Sequence, residues 1–285
     1  MVKKSAESFS SVAQSLAQEI ANRYGELPQV EAVALGGSLA CGVADVGSDV
    51  DLYVYLRGEL DASARASIAM EGGERVEVDN RFWESGDEWM DVRTGVHVDV
   101  MFRAVEWIEE QLDRVLRRCE ASVGYSTCLW HNVASSRALY DRAGWFRALQ
   151  RDAGQAYPED LRRAIVAKNH PILWRTASSY KYQLEGAIVR GDLVSVNHRV
   201  AALLASYFDV LFAVNRLLHP GEKRLVEIAL AQCERLPTGM EQQVNGLIRA
   251  VSRGDESIIE KAGALVRGLD DLLEAEGFDL FESEC

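Results

Sequence analysis

The sequence lacks three features that would place it quickly in a class of proteins. Its 285 residues contain no apolar run long enough to cross a bilayer, and they do not begin with an apolar stretch of the signal-peptide type, so we expect no membrane partner. The five cysteines are scattered, odd in number and without the spacing of a zinc site, which predicts a reducing, cytoplasmic setting. An excess of basic residues is also missing. The net charge of −13 argues against a nucleic-acid partner bound over a general surface.

The charge that is present is distributed unevenly along the chain. Residues 137–199 carry a local balance of +5, whereas residues 255–285 carry −8. A solvated helix face accounts for the acidic segment. For the basic segment a role in facing phosphate groups stays open beside the same explanation.

Two periods of hydrophobicity divide the chain. The N-terminal segment has apolar residues at helical spacing: Phe9, Val12, Leu16, Ile20 and Tyr24. Alternation of apolar and polar residues then predicts four strands. These are VEAVAL (30–35), DVDLYVYL (49–56), GERVEVDNRFW (73–83) and GVHVDVMF (95–102).

From Val105 onward the period becomes helical, and proline or glycine breaks separate the predicted helices. They are expected at about 137–151, 159–169, 171–189, 191–218, 222–235, 241–253 and 256–276. The pattern therefore predicts an α+β fold in which a mixed α/β domain at 1–110 precedes a helical domain at 111–285.

Five residues near the ends of the predicted strands are suited to phosphate and metal chemistry. Gly37 and Ser38 follow the first strand, where glycine lets the backbone approach a ligand closely and the hydroxyl adds a donor. Asp49 and Asp51 lie on one face of the second strand, and Asp99 lies on the polar face of the fourth. Carboxylates held this close repel each other unless a cation lies between them, so the pattern predicts a magnesium site beside a phosphate-binding loop.

The ordered set Gly-Gly-Ser, Asp-x-Asp and a later single Asp resembles the DNA polymerase beta type nucleotidyltransferase superfamily. The segment FAVNRLLHPGEKRL (212–225) is in turn similar to a stretch in a bacterial family of uncharacterised nucleotidyltransferase-like proteins. The resemblance implies a polymerase-beta-like domain, a mixed sheet with flanking helices, followed by an all-helical C-terminal domain. That helical domain would bind substrate or nucleotide.

The resemblance also implies an activity and its cofactor. A metal-dependent nucleotidyltransferase would move a nucleoside monophosphate from a nucleoside triphosphate, expected to be ATP, to a hydroxyl of a small acceptor, with release of pyrophosphate. Asp49 and Asp51 would hold one Mg²⁺, and the same pair with Asp99 would hold a second, with Mn²⁺ as the alternative metal. Gly36, Gly37 and Ser38 would contact the nucleotide. Either Asp99 or a metal ion would assist removal of the proton from the acceptor hydroxyl.

Other residues are candidates with competing explanations. Lys181 and Lys223 are candidates for binding the triphosphate from the helical half, with Arg175 as a third, although a surface position explains each one taken alone. Glu77 and Asp79 form an acidic pair on one strand face that competes with Asp99 for the role of third carboxylate. His97 shares the face of Asp99 and would contact substrate or act as a base, but packing or solvation explains it equally well.

Two further functions stay open at this stage. The first is nucleotidyl transfer to a protein or a tRNA, for which the basic segment 137–199 is the support. The second is a non-catalytic nucleotide-binding or antitoxin-like module that keeps the fold, although all three carboxylates are present. The sequence does not reveal the oligomeric state or the acceptor.

Overall fold

The chain folds into two compact units that interleave along the sequence. The computed structural model describes residues 2–42, 45, 47–82, 84–254 and 257–280, with side chains from residue 9 onward. The first unit contains Met1–Asp113 and Asn132–Gln155, and the second contains Arg114–His131 and Ala156–Cys285. The sequence predicted a single boundary between residues 110 and 111. The chain instead enters the second unit for residues 114–131 and returns to the first before leaving it again.

The first unit is built on a mixed sheet flanked by helices. Of the elements in the next sentence, helices α4 and α5 have residues in both units, and all the others belong to the first unit. In chain order the elements are α1 Val2–Gly25, β1 Val30–Leu35, α2 Gly37–Ala40, β2 Val50–Leu56, α3 Ala62–Met70, β3 Gly73–Asn80, β4 Gly86–Asp91, β5 His97–Ala104, α4 Val105–Leu116, α5 Cys128–Ser135, β6 Arg137–Asp141 and α6 Trp145–Ala153.

The strands lie in the order β3-β4-β5-β2-β1-β6. β2 and β5 run parallel, while the other neighbouring pairs are antiparallel. Because β2 and β5 point the same way, their N-terminal ends meet at one edge of the sheet. This pairing brings the polar residues at the start of both strands together.

Helix α1 covers the apolar face of the sheet. Its buried face includes Leu16, Ile20 and Tyr24, as the periodicity predicted, and also small alanines such as Ala13 and Ala17. Val12 departs from the prediction, because 43% of its surface is exposed. The buried residues recur at helical spacing from Ala13 onward, and Val12 lies beside this stripe rather than within it.

Two strands were not predicted from the sequence, and a third is shorter than expected. Strand β4, GDEWMD, was not predicted, and it lies between β3 and β5. Strand β6, RALYD, falls within the helix expected at about 137–151; it pairs with the edge of β1, and the helix begins only at Trp145. The predicted strand 73–83 ends at Asn80, and its last residue, Trp83, lies outside the described residues.

The second unit is helical and has its own core. Its further helices are α7 Glu159–Trp174, α8 Tyr180–Val189, α9 Leu193–Val214, α10 Leu225–Gln232, α11 Met240–Arg253 and α12 Ile258–Ala275. Every residue from Ser206 to Val214 on α9 is buried, so the C-terminal half of α9 is surrounded on all sides. The predicted α+β class is confirmed: a mixed sheet with flanking helices precedes a helical half.

Pro171 does not break a helix as the sequence suggested. It lies inside α7, and the helix ends one turn later at Trp174. A proline inside a helix removes one backbone donor and bends the helix away from the lost bond. The Pro171 carbonyl then accepts from the N–H groups of Arg175 and Thr176, which closes the helix at that point.

A buried polar network fixes the segment before α5 to the core of the second unit. The carboxylate of Asp209 on α9 accepts the backbone N–H of Ser126 at 2.9 Å and the Ser126 hydroxyl at 2.6 Å. The Asn169 side-chain amide on α7 donates to the same carboxylate at 3.2 Å. Burial raises the pKa of Asp209 to about 6, and the hydrogen bonds from Ser126 oppose that rise.

Among the described residues, no helix is both long enough and apolar enough to cross a membrane.

Candidate active site

Three carboxylates stand side by side on three neighbouring strands of the first unit. Asp51 on β2 is directly opposite Asp99 on β5, and Glu88 on β4 is opposite Asp99 from the other side. Because side chains alternate along a strand and directly paired residues point to the same face, the three side chains share one face of the sheet. The parallel register therefore brings Asp51 and Asp99 together.

The glycines after β1 make room for Asp51. A β-carbon on Gly37 would lie 1.8 Å from Oδ2 of Asp51, so only glycine leaves that space for the carboxylate. Gly37 also has φ +60°, in the left-handed region that glycine adopts without strain. The N–H of Gly36 donates to the backbone carbonyl of Asp51 at 2.9 Å. Gly36 thus hydrogen-bonds the backbone of Asp51, and Gly37 packs against its carboxylate.

Ser38 lies in the short helix α2, which begins at Gly37. It is partly exposed, as is Asp51, whereas the neighbouring Leu39 is buried and anchors the turn in the core. The first N–H groups of a helix have no acceptor within the helix. The Gly37–Ser38 segment therefore offers backbone donors and one hydroxyl next to the carboxylate of Asp51.

His97 lies between two of the acidic side chains. Its Nδ1 is 3.7 Å from Oδ1 of Asp49, and its Nε2 is 3.8 Å from Oε2 of Glu88. Glu88 is held in addition by the Asn80 amide, which donates to Oε1 at 2.9 Å. His97 is thus within ion-pair distance of both carboxylates, and 35% of its side chain is exposed.

The electrostatics of the site reflect this crowding. The pKa of Asp99 is raised to about 6, first by burial, then by the negative charges of Glu88 and Asp51, and the proximity of His97 opposes the rise. Like charges held together disfavour ionisation unless a cation compensates them. Asp99 is consequently more basic than an ordinary aspartate.

The donor chemistry of the site fits a hard divalent cation. In the part of the chain that the structure describes, no three or more His, Cys, Asp or Glu side chains are arranged as a ready metal site. The oxygen donors of Asp49, Asp51 and Asp99 are nevertheless those that Mg²⁺ prefers, and Mg²⁺ keeps several of its ligands as water or substrate phosphate. The raised pKa of Asp99 also reflects a repulsion that such a cation would relieve.

The predicted basic ligands lie in the second unit. Lys181 on α8 has its Nζ 5.1 Å from the ring centre of Tyr182 and 5.7 Å from that of Trp174, with Glu185 at 4.0 Å. Lys223 is exposed, in the turn before α10. Both lysines stay predictions as nucleotide ligands, and so does Arg175, which contacts Asp270 at 3.9 Å.

Sequence reasoning missed Glu88. The competing pair it considered, Glu77 and Asp79, lies on β3, farther along the sheet from β2. Glu77 is the register partner of Glu88, so the acidic row continues outward through β4 to β3. A signal was present in GDEWMD, where Glu88 and Met90 alternate with the buried residues Asp87 and Trp89.

Gly37→Ala tests the close approach of the loop to Asp51. We expect the nucleotidyl-transfer activity that the resemblance implies to fall at least about 100-fold, since the new β-carbon overlaps the carboxylate and φ is strained as well. Gly42→Ala is the matched control, because Gly42 has φ +71° in the same connection but has nothing within 4 Å of the added carbon. The variants are compared by steady-state kinetics and melting temperature. Equal losses in the two would mean that backbone strain, not the contact with Asp51, is responsible.

Two family models match the chain. Residues 16–120 match the nucleotidyltransferase domain, and residues 126–225 match a domain of unknown function (DUF4037). Among solved structures, a nucleotidyltransferase-like protein from Exiguobacterium sibiricum is similar over 93% of this chain and 75% of its own, with 13% sequence identity and a TM-score of 0.42. No curated protein matches the chain. The first family match confirms the superfamily predicted from the Gly-Gly-Ser and Asp-x-Asp motifs.

Proposed function

We propose that this protein transfers a nucleoside monophosphate to a hydroxyl of a small molecule. The premise is that residues 16–120 belong to the nucleotidyltransferase domain family. ATP is the expected donor, and pyrophosphate is the second product. The observation that carries the proposal is the direct pairing of Asp51 with Asp99, beside a glycine loop shaped around Asp51. The acidic net charge of −13 favours a small acceptor over a polynucleotide.

Asp49, Asp51 and Asp99 would hold the divalent cation, Mg²⁺ or Mn²⁺. When bound, it would supply Lewis-acid stabilisation of the charge that develops on the phosphate oxygens. The backbone of Gly36 and Gly37 and the hydroxyl of Ser38 would orient the triphosphate. Lys181 and Lys223 are the proposed additional contacts from the helical half.

The chemical step then needs a proton acceptor and correct positioning. The acceptor oxygen forms a bond to the α-phosphorus, the bond from that phosphorus to the bridging oxygen breaks, and pyrophosphate leaves with the electron pair. The hydroxyl proton passes to a carboxylate. Asp99 is the proposed acceptor, and Glu88, its register partner on β4, is the neighbouring alternative.

Transfer to a protein or a tRNA has weaker support from the structure. The basic segment 137–199 is divided between the two units. Several of its cations are already engaged: Arg162 and Arg163 contact Glu159, and Arg142 donates to backbone carbonyls. Engaged side chains contribute less to a phosphate-binding surface.

The test is transfer of label from α-phosphate-labelled nucleoside triphosphates into a bacterial metabolite extract in the presence of Mg²⁺. The wild type is compared with the double variant Asp49→Ala/Asp51→Ala. A labelled product made only by the wild type supports the proposal and supplies the acceptor for identification. Salt-sensitive labelling of protein or tRNA would favour a macromolecular acceptor. Mg²⁺-dependent nucleotide binding without any product would favour a non-catalytic module, and binding that is unchanged in the double variant would overturn the assigned site.

A further inference from the structure

The ring of Tyr53 supports the other glycine of the loop. Tyr53 lies on β2, two residues after Asp51, and is 8% exposed. A β-carbon on Gly36 would lie 2.2 Å from Cε2 of this ring, so the backbone of Gly36 rests directly on it. Asp51 occupies the corresponding space at Gly37. Asp51 and Tyr53 are neighbours on one face of β2. Their side chains therefore occupy the space in which Gly37 and Gly36, respectively, would otherwise carry a β-carbon.

Arg103 in turn holds the Tyr53 ring. Its guanidinium carbon lies 4.2 Å from the ring centre, within the range of a cation–π contact. The guanidinium itself is fixed by two hydrogen bonds to Glu84, at 2.8 and 2.9 Å, and one to Asn132 Oδ1 at 2.8 Å. The Asn132 side chain also lies near the Tyr53 hydroxyl.

These contacts form a chain of fixed groups that ends at the loop. Tyr53 lies on β2, Glu84 precedes β4 and Asn132 lies on α5, so three separate segments converge on the guanidinium of Arg103. The planar fork of arginine suits this task, because it binds two acceptors in its plane and stacks on a ring with its face. The Arg103 side chain is only 5% exposed, which limits its alternative conformations.

We propose that Arg103 is a positioning residue that acts through Tyr53 to hold the Gly36–Ser38 loop in its nucleotide-binding conformation. The role of the loop in binding nucleotide rests on the proposed function, whereas the positioning itself does not. Arg103 touches no reacting group in this scheme. Its effect is to prevent the ring from moving away and the loop from relaxing into the vacated space.

The experiment compares Arg103→Met with Arg142→Met. Arg142 is a suitable control in the same unit: it lies 5.6 Å from the Tyr140 ring centre and donates to the carbonyls of Val30, Gly25 and Leu27. Both changes remove a guanidinium with several acceptors and a ring contact, but no contact links Arg142 to Gly36 in the described residues. Arg103→Met should remain folded, because Glu84 is 39% exposed and can regain water.

Three readouts, the KM for the nucleotide, the KM for the acceptor and amide hydrogen exchange, are measured at a temperature where all three variants are folded. Arg103→Met should raise the KM for the Mg²⁺–nucleotide about tenfold, with little change in the KM for the acceptor. It should also speed hydrogen exchange at the amides of residues 36–41. Arg103→Lys should not restore either property, because an ammonium group cannot replace the planar fork. Arg142→Met should leave both unchanged.

Equal effects of Arg103→Met and Arg142→Met on nucleotide KM and on amide exchange would overturn the proposal, as would full rescue by Arg103→Lys. If the wild type neither binds nor transfers a nucleotide, the proposed function fails. The exchange rates at residues 36–41 still decide whether Arg103 positions the loop, so the two failures are distinguishable.

Discussion

Asp99→Asn is expected to reduce nucleotidyl transfer about 1000-fold and, in the same protein without divalent cation, to raise the melting temperature by about 2–4 °C. Activity falls because the change removes the proposed cation ligand and proton acceptor. Stability rises because burial and the negative charges of Glu88 and Asp51 disfavour the ionised form of Asp99, and its raised pKa of about 6 reflects both. Removing one charge from a partly solvated row should stabilise the fold by about 1 kcal/mol.

The measurement pairs single-turnover kinetics with thermal denaturation in the presence of a chelator. Glu88→Gln serves as the comparison, since Glu88 is the other register partner of Asp99 on the same face. If Glu88 is the proton acceptor, its variant will lose as much activity as Asp99→Asn; if Asp99 is, Glu88→Gln will retain most of it. A loss of stability together with activity in Asp99→Asn would identify Asp99 as a structural residue instead.

Asp209→Ala should have the largest effect on stability, about 3 kcal/mol at neutral pH. The change leaves the N–H and hydroxyl of Ser126 and the amide of Asn169 without their buried acceptor. The segment before α5 would be released from α9 as a result. Ser206→Ala is the control, because the buried Ser206 hydroxyl, on the same helix, has no hydrogen-bond partner among the described groups. Its removal should cost almost nothing.

Asp209→Asn should change the pH dependence of stability. The pKa of Asp209 is raised from 3.8 to about 6 in the folded state. Between pH 3.8 and about 6, Asp209 keeps its proton in the folded protein but has released it in the unfolded chain. The free energy of unfolding therefore falls as pH rises through this range. This fall amounts to about 3 kcal/mol and should be missing in Asp209→Asn. Urea denaturation at pH 4 and pH 7 measures it, and identical pH dependence in wild type and variant would contradict the assignment.

The sequence predicted the part of the site that depends on local pattern. Strict alternation in DVDLYVYL placed Asp51 on the polar face of β2, and the same reasoning placed Asp99 on that of β5. The Gly-Gly-Ser motif located the loop, and the structure adds the reason for Gly37: the space is occupied by Asp51. Whether these residues bind a metal and a nucleotide stays a prediction.

The rest depends on contacts between distant segments, which leave little trace in the sequence. Strand β4 is short and rich in acidic residues of low strand propensity, so its conformation comes from pairing with β3 and β5. Strand β6 has a sequence compatible with a helix, and the free edge of β1 makes it a strand. The contacts of Arg103 come from three segments with no shared motif.

The return of the chain to the first unit has a consequence for biosynthesis. Strand β1 is complete early in translation, but its outer neighbour β6 ends at Asp141, after the excursion through residues 114–131. Until then β1 presents unpaired N–H and C=O groups to other nascent chains, which is the arrangement that promotes intermolecular strand addition. A fragment that stops at residue 110 would keep this edge open permanently. Solubility on expression should therefore depend on including residues up to the end of α6.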